Sequence, residues 1–292
     1  MKILKNLLNI ITTTSVLILS SNTLAHDHQD KAMLKTPPQI SIQLWSVKDQ
    51  VKADFKGTLK ALADMGFDGV EFANEFGEFS GNAPAIKKVL DSLSLEGSGA
   101  HVSFEQLNDE NFASTVKFYQ TLGVDMLIVG WDERAWHPEG IKEIVALLNK
   151  LSVKLAPFGM KTGFHNHDHE FNDFEGTTYW DYLAVNTPQN VVLQQDVGWT
   201  TYAGKDPVAY VEKYPGRTLT THYKVKLPEG TQGKLPIIGR DTIDWLSLTK
   251  ANIAVGGTLW LVVEQEEYPN GLTPLQAVAE SKQGLDKILS KL

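Results

Sequence analysis

Two imidazoles and two carboxylates recur through the second half of this 292-residue chain at intervals that bring them into step. His165, Asp196, His222 and Glu264 are separated by 31, 26 and 42 residues, close to the roughly 31 residues of one strand–helix unit in a 250-residue (β/α)₈ barrel. Each closes a strand-like run and so falls at a strand C-terminus, where such barrels carry their functional groups. Consecutive barrel strands are neighbours, and four side chains placed this way converge on one point. Two imidazoles with two carboxylates suit a single borderline divalent ion: Mn²⁺, Co²⁺, Zn²⁺ or Fe²⁺. Any one of them alone reads as a hydrogen-bonded loop residue. Four in step read as one metal set.

Other polar groups gather at the same strand ends. In His165-Asn166-His167-Asp168-His169-Glu170, strand alternation puts His167 on the face of His165. There it either orients a metal ligand or touches substrate; the plainer alternative, which suits His169 better, is a strand cap paired with Asp168 or Asp173. Lys224, two residues past His222, can bind a substrate oxygen or be a surface lysine like Lys226. Glu71 and His101 either bind substrate hydroxyls or form a polar network around the barrel top. Trp45, Trp131, Trp136, Trp199 and Tyr223 fall near strand ends. Such rings can cover an apolar face of a ligand or simply pack; at least one is expected to contact substrate and the others to pack.

The elements that must position these groups alternate along the chain. Strands are expected at 40–45, 69–72, 98–102, 125–129, 161–165, 191–195, 217–222 and 258–263. Helices are expected at 55–65, 85–93, 112–122, 141–155, 177–185, 207–214, 243–251 and 274–289. Eight units in about 250 residues predict an α/β fold of the TIM-barrel type. A doubly wound open sheet is disfavoured, because no Gly-x-Gly-x-x-Gly follows a strand. The glycine- and proline-bearing stretch 226–239 is expected at the mouth of the site.

The N-terminus is of another kind. Lys2 and Lys5 precede an apolar, hydroxyl-rich run and the small-residue end Thr23-Leu24-Ala25, which reads as a secretory signal over 1–25 cleaved after Ala25. The run is too short and too threonine-rich for a membrane span, so no stable membrane anchor is expected. A flexible tail at 26–37 would follow, with the barrel at 38–292 and a periplasmic location. His26-Asp27-His28 at a new N-terminus can chelate Cu(II) or Ni(II), although a solvated tail is the plainer reading. The chain has no cysteine, which excludes disulfides and thiolate ligands. Removing the two leader lysines from 27 basic residues leaves 25 against 35 acidic, a net charge of −10. Nucleic acid is therefore not an expected partner.

Taken together, Gln43-Leu44-Trp45-Ser46-Val47, Gly69-Val70-Glu71-Phe72, Gly99-Ala100-His101, Gln195-Asp196, His222-Tyr223-Lys224, Gly239 through Asp244-Trp245, and Val263-Glu264 resemble the xylose isomerase-like TIM-barrel superfamily over about residues 38–290. That superfamily holds sugar isomerases, ketose 3-epimerases, inosose dehydratases and 3-keto-glycoside epimerases and lyases. Its usual metal set is Glu-Asp-His-Glu, and Asp196, His222 and Glu264 match the last three positions. On the fifth strand, where many members have Glu-Asn-His, this chain has His165-Asn166-His167, similar to a branch of exported sugar isomerases whose motif continues through Glu170-Phe171. The resemblance implies one divalent ion and a sugar or keto-glycoside substrate. It also implies proton abstraction next to a carbonyl, with Glu264 as base and His167, His101 or Glu170 as the second proton carrier. Isomerisation or epimerisation is the first expectation, β-elimination on a 3-keto-glycoside the alternative. An AP-endonuclease-like activity lacks the ligands and the basic surface. A non-catalytic sugar-binding protein on the same fold is the rival of another class. Phosphorylated sugars are not expected, since no glycine-rich phosphate cradle or arginine cluster is present.

Overall fold

The computed structural model describes residues 37–292; the expected leader and almost all of the expected tail, with His26 and His28, lie outside them. Eight parallel strands close into a barrel: β1 (Gln39–Gln43), β2 (Gly69–Phe72), β3 (Glu96–Val102), β4 (Met126–Val129), β5 (Lys161–His165), β8 (Val192–Asp196), β9 (Thr220–Lys224) and β10 (Trp260–Glu264). Between β5 and β8 the chain makes a small antiparallel hairpin, β6 (Asp173–Phe174) with β7 (Thr177–Thr178). Around the barrel lie α1 (Lys48–Ala53), α2 (Phe55–Asp64), α3 (Ala83–Ser92), α4 (Phe112–Leu122), α5 (Pro138–Leu155), α6 (Tyr179–Asn186), α7 (Val197–Tyr202), α8 (Pro207–Lys213), α9 (Trp245–Ala251) and α10 (Pro274–Leu289). Among the described residues no helix is long and apolar enough to cross a membrane.

Several boundaries move from those expected, each for a local reason. The first strand stops at Gln43, not Trp45, because the Gln43 side chain accepts the Trp45 N–H and turns the chain into a 3₁₀ turn. The stretch 177–185 splits: Thr177 and Thr178 pair with the hairpin, and Thr178 then caps α6 through the Asp181 N–H. The seventh barrel strand begins at Thr220. Arg217 instead lies buried beneath it, donating to Val191 O, Thr187 Oγ1 and Ala184 O. None of residues 226–239 is among those lining the cavity beside Lys224. Ile237 and Ile238 are buried, and the Ile238 N–H donates to Ser281 on α10.

Most of the apolar core lies between the strands and the helix ring. Inside the barrel the chemistry is layered. Met126, Ile128, Val192, Trp260 and Val262 fill the lower end as a separate apolar plug. Gly163 belongs to this floor: a Cβ there would come 2.4 Å from Val192 O and 2.8 Å from the Ile128 Cδ1 methyl. Above it the inward positions turn polar with Gln43, Glu71, Gln194, Asp196, His222 and Glu264, all buried. Register does the sorting. His165 pairs with Gln194, Asp196 with His222, and Glu264 with Lys224.

One clamp on the outer wall ties α6 to α8. Asp181 accepts from Lys213 Nζ (2.8 Å), Thr177 Oγ1 (2.7 Å) and the Tyr214 hydroxyl. Burial alone would raise its pKa, but the hydrogen bonds from Lys213, Tyr214 and Thr177 hold the carboxyl below the usual range. Such a group stabilises the fold above its unfolded pKa of ~3.9, and that contribution is lost as pH falls through the lower folded value. Asp181→Asn is expected to cost about 2 kcal/mol near neutrality. Chemical denaturation at stepped pH should show its gap from wild type narrowing as the pH falls below ~3.9 and closed once the pH is below the Asp181 folded pKa.

Candidate metal and sugar site

One carboxylate organises the polar layer. Glu71 has no exposed surface and accepts from Gln43 Nε2 (2.7 Å), Gln194 Nε2 (2.7 Å) and His222 Nε2 (2.6 Å). Burial would raise its pKa, yet the His222 and His101 charges and these donors hold it lowered, so it is ionised and can only accept. That fixes the sense of every neighbouring bond. Gln194 must turn its NH₂ to Glu71, which leaves Oε1 to accept from His165 Nδ1 (3.1 Å) and His101 Nε2 (2.7 Å). His165 therefore carries its proton on Nδ1 and keeps the Nε2 lone pair free. His222 donates from Nε2 to Glu71, and its Nδ1 faces Glu264 Oε2 at 3.0 Å. His165 and His222 each have one nitrogen locked by a partner and the other directed at the cluster, the arrangement that prepares imidazole for a metal.

The expected set does converge. One ligand atom from each of His165, Asp196, His222 and Glu264 lies within 4.8 Å of the others, and all four residues are buried. Asp196 uses Oδ1 to cap α7 at Trp199 N (2.8 Å). Its Oδ2 is buried with no hydrogen-bond partner, 3.7 Å from His165 Nε2 and 3.9 Å from Lys224 Nζ. Burial, with Glu264 nearby, pushes the Asp196 pKa up to about 7 although Lys224 and His222 oppose it. An orphaned carboxylate oxygen beside a free imidazole lone pair is what a divalent cation satisfies. His222 shows the same demand from the other side: burial lowers its pKa, but Glu71 and Glu264 overcome this and raise it to about 10. Its Nδ1 and Glu264 thus hold between them a positive charge, either a proton or a metal ion. The donor set fits a four-ligand borderline metal.

The cluster floors a cavity of about 430 Å³ walled by His101, His165, His167, Lys224, Glu264 and Glu266 among others. Lys224 is not a surface lysine. It is 3% exposed, contacts Glu266, and lies 3.4 Å from Glu264 Oε2. Although burial would lower its pKa, Glu264, Asp196 and Glu266 raise it, so it stays charged. His167 lines the cavity next to His165 and Trp131. Burial and then Lys224 lower its pKa to about 3, leaving a neutral ring. Gly130 makes room for His101, since a Cβ there would sit 2.5 Å from its Nδ1. Of the five aromatic rings considered from the sequence, Trp45 and Trp131 line the cavity and stay 45% and 57% exposed. Tyr223 is packing, with its hydroxyl bonded to Thr249.

One expectation changes. Glu71 cannot meet a substrate hydroxyl, because it is sealed under the cluster with its oxygens bonded to Gln43, Gln194 and His222; the polar-network alternative describes it. His169 keeps the plainer role expected of it: it is exposed, lies 4.0 Å from Asp168 Oδ2, and tilts against Trp136 outside the cavity lining. Gln194, and Gln43 beyond its place in the first-strand motif, carry roles in the site that the sequence did not assign. Their signal was available in the register, since buried glutamines directly beside His165 and Glu71 need partners.

No protein-family model matches the chain. A solved sugar phosphate isomerase/epimerase from Parabacteroides distasonis superposes with a TM-score of 0.72 over 86% of this chain and 94% of its own, at 22% identity. The chain shares its TIM-barrel fold. Another structure with this fold, an IolI protein with a bound zinc atom, matches at TM-score 0.64 and 17% identity, over 87% and 98% of the two chains. An inosose dehydratase of Clostridium botulinum is 25% identical over 267 residues, covering 78% of this chain and 88% of its own.

Because Glu71 dictates the Gln194 orientation, losing that amide should loosen the site without touching a ligand. Gln194→Met is expected to weaken divalent-metal affinity 10–100-fold, read by competition against a chromogenic chelator, while thermal unfolding remains cooperative.

Proposed function

We propose that the protein is a metal-dependent, sugar-modifying enzyme that removes the proton next to a carbonyl of a sugar or keto-sugar. The ion would be held by His165, Asp196, His222 and Glu264. The observation that carries this reading is the buried, partnerless Asp196 Oδ2 facing the prepared His165 Nε2 at the floor of a small-molecule cavity. When bound, a divalent ion supplies Lewis-acid polarisation of a carbonyl and stabilises the charge left by C–H cleavage.

The chain supplies the rest. Glu264 lines the cavity; burial opposes its ionisation, but Lys224 and His222 overcome it and keep the carboxylate charged. It is the base. Lys224 adds fixed positive charge at the cavity wall, placed for an oxygen that becomes anionic. His167 stands just past β5, three strands round the barrel from Glu264 on β10. As a neutral imidazole it passes a proton to or from the other side of the substrate. Trp45 and Trp131 offer apolar surface to sugar C–H faces.

Abstraction then has two continuations: a returned proton gives an epimer, and loss of a β-substituent gives elimination. Elimination is the better-supported branch. The position that would carry a second carboxylate is His165, and a curated relative is named a dehydratase. Lys224 is the one cation among the cavity-lining residues and is already shared by carboxylates, which disfavours a phosphorylated substrate. Export with cleavage after Ala25 belongs to the same proposal, and N-terminal sequencing of the secreted form tests it.

Elemental analysis of the purified protein should find about one divalent ion per chain. Solvent-deuterium exchange at the substrate α-carbon should require it. Glu264→Gln should cut that exchange by roughly 10²-fold or more while metal remains bound, though more weakly. Sugar affinity unchanged by chelator, with no exchange in any ketose or keto-glycoside, would instead mark a binding protein.

A further inference from the structure

Asn74, just past β2, lines the catalytic cavity and also a second, more open hollow of about 560 Å³. We propose that this hollow receives the second ring of the substrate, so that the enzyme acts on a two-ring glycoside in preference to a one-ring sugar. The inference rests on the sugar-modifying reading above and extends it to the size of the substrate.

Size is the first argument. Cavities of ~300–1,000 Å³ take drug-sized ligands, and the two hollows together exceed what one six-membered ring fills. The partition is the second. Asn74 is exposed at its top and sits in left-handed backbone (φ 63°). Its Nδ2 donates to His101 O (3.1 Å), while its Oδ1 accepts from Gln106 Nε2 (2.9 Å) and the Tyr119 hydroxyl (3.4 Å). Gln106 is held in turn, accepting the Ser103 N–H through Oε1 at 2.9 Å. The ridge is thus a fixed amide pair anchored to the end of β3, the strand that carries His101. A ligand crossing it meets polar groups already oriented.

The lining is the third argument. Beyond Asn74 the hollow presents the Gln106 amide, the hydroxyls of Ser80, Ser114 and Thr115, and the half-buried Phe118 ring. None of its lining residues carries a charge. That chemistry suits a neutral polyhydroxylated ring, with hydroxyls on the amides and a C–H face on the aromatic ring. It does not suit a phosphate or a nucleotide. The catalytic cavity, by contrast, has its charges clustered at the metal set.

The test compares two-ring and one-ring ligands on the metal-loaded protein. Calorimetry with an unreactive disaccharide and with its methyl monoglycoside reads binding; turnover of the matching keto-disaccharide and keto-methylglycoside reads kcat/KM. Wild type should favour the two-ring ligand about tenfold or more. Phe118→Ala removes the aromatic face. Ser114→Trp fills the hollow from an exposed helix position and removes no packed side chain, so it decides the matter if the first variant folds poorly. Both should abolish the two-ring preference and leave one-ring values within twofold. Equal affinity for the two ligands in wild type, or a preference that survives Ser114→Trp, overturns the proposal. Absence of turnover with a retained binding preference would overturn the enzymatic reading alone.

Discussion

A single buried negative charge sets the sense of the whole upper barrel. Glu71 has no water to share its charge with, and each of its partners is therefore compelled to donate. From that one compulsion follow the orientation of the Gln194 amide, the tautomer of His165 and the locked Nε2 of His222. The nitrogens that face the His–Asp–Glu cluster are thus chosen by a residue sealed beneath it. A buried anion is costly to hold alone. Here three donors and the nearby imidazole charge offset that cost.

The barrel is built to keep this network dry below and open above. The plug around Trp260 and Ile128 closes the lower end with apolar side chains, while the inward positions of the same strands turn polar near their C-termini. Two different demands are met on one strand by the alternation of its side chains. On β8, for example, Gln194 and Asp196 face the site and Leu193 packs outward in the core under the helices. Helix caps serve the site as well. Asp196 ends β8 and begins α7, so one of its oxygens is spent on Trp199 N and the other is held toward the cluster.

Much of this was legible before any coordinates. Strands 69–72 and 161–165 and helices 112–122 and 274–289 fall where periodicity, glycines and flanking caps put them. The convergence of His165, Asp196, His222 and Glu264 follows from their spacing, because a closed parallel barrel turns sequence intervals of one unit into adjacency. What spacing could not convey was depth. Glu71 and His101 both sit near strand ends, yet only His101 reaches the cavity, while Glu71 is sealed below. Nor does a lysine announce that it is buried; Lys224 is drawn in by Asp196, Glu264 and Glu266, which come from two other segments of chain. The short helices α1 and α7 were missed since a single turn and a half carries too little apolar pattern to stand out from a loop.

The pairing of His165 with Gln194 across adjacent strands has a corollary. A glutamate at position 165 would point an anionic oxygen at the Gln194 carbonyl, and the amide could not rotate to help while Glu71 claims its nitrogen. Exchanging the histidine for a carboxylate at that corner therefore sets two acceptors face to face unless the neighbouring glutamine is exchanged with it.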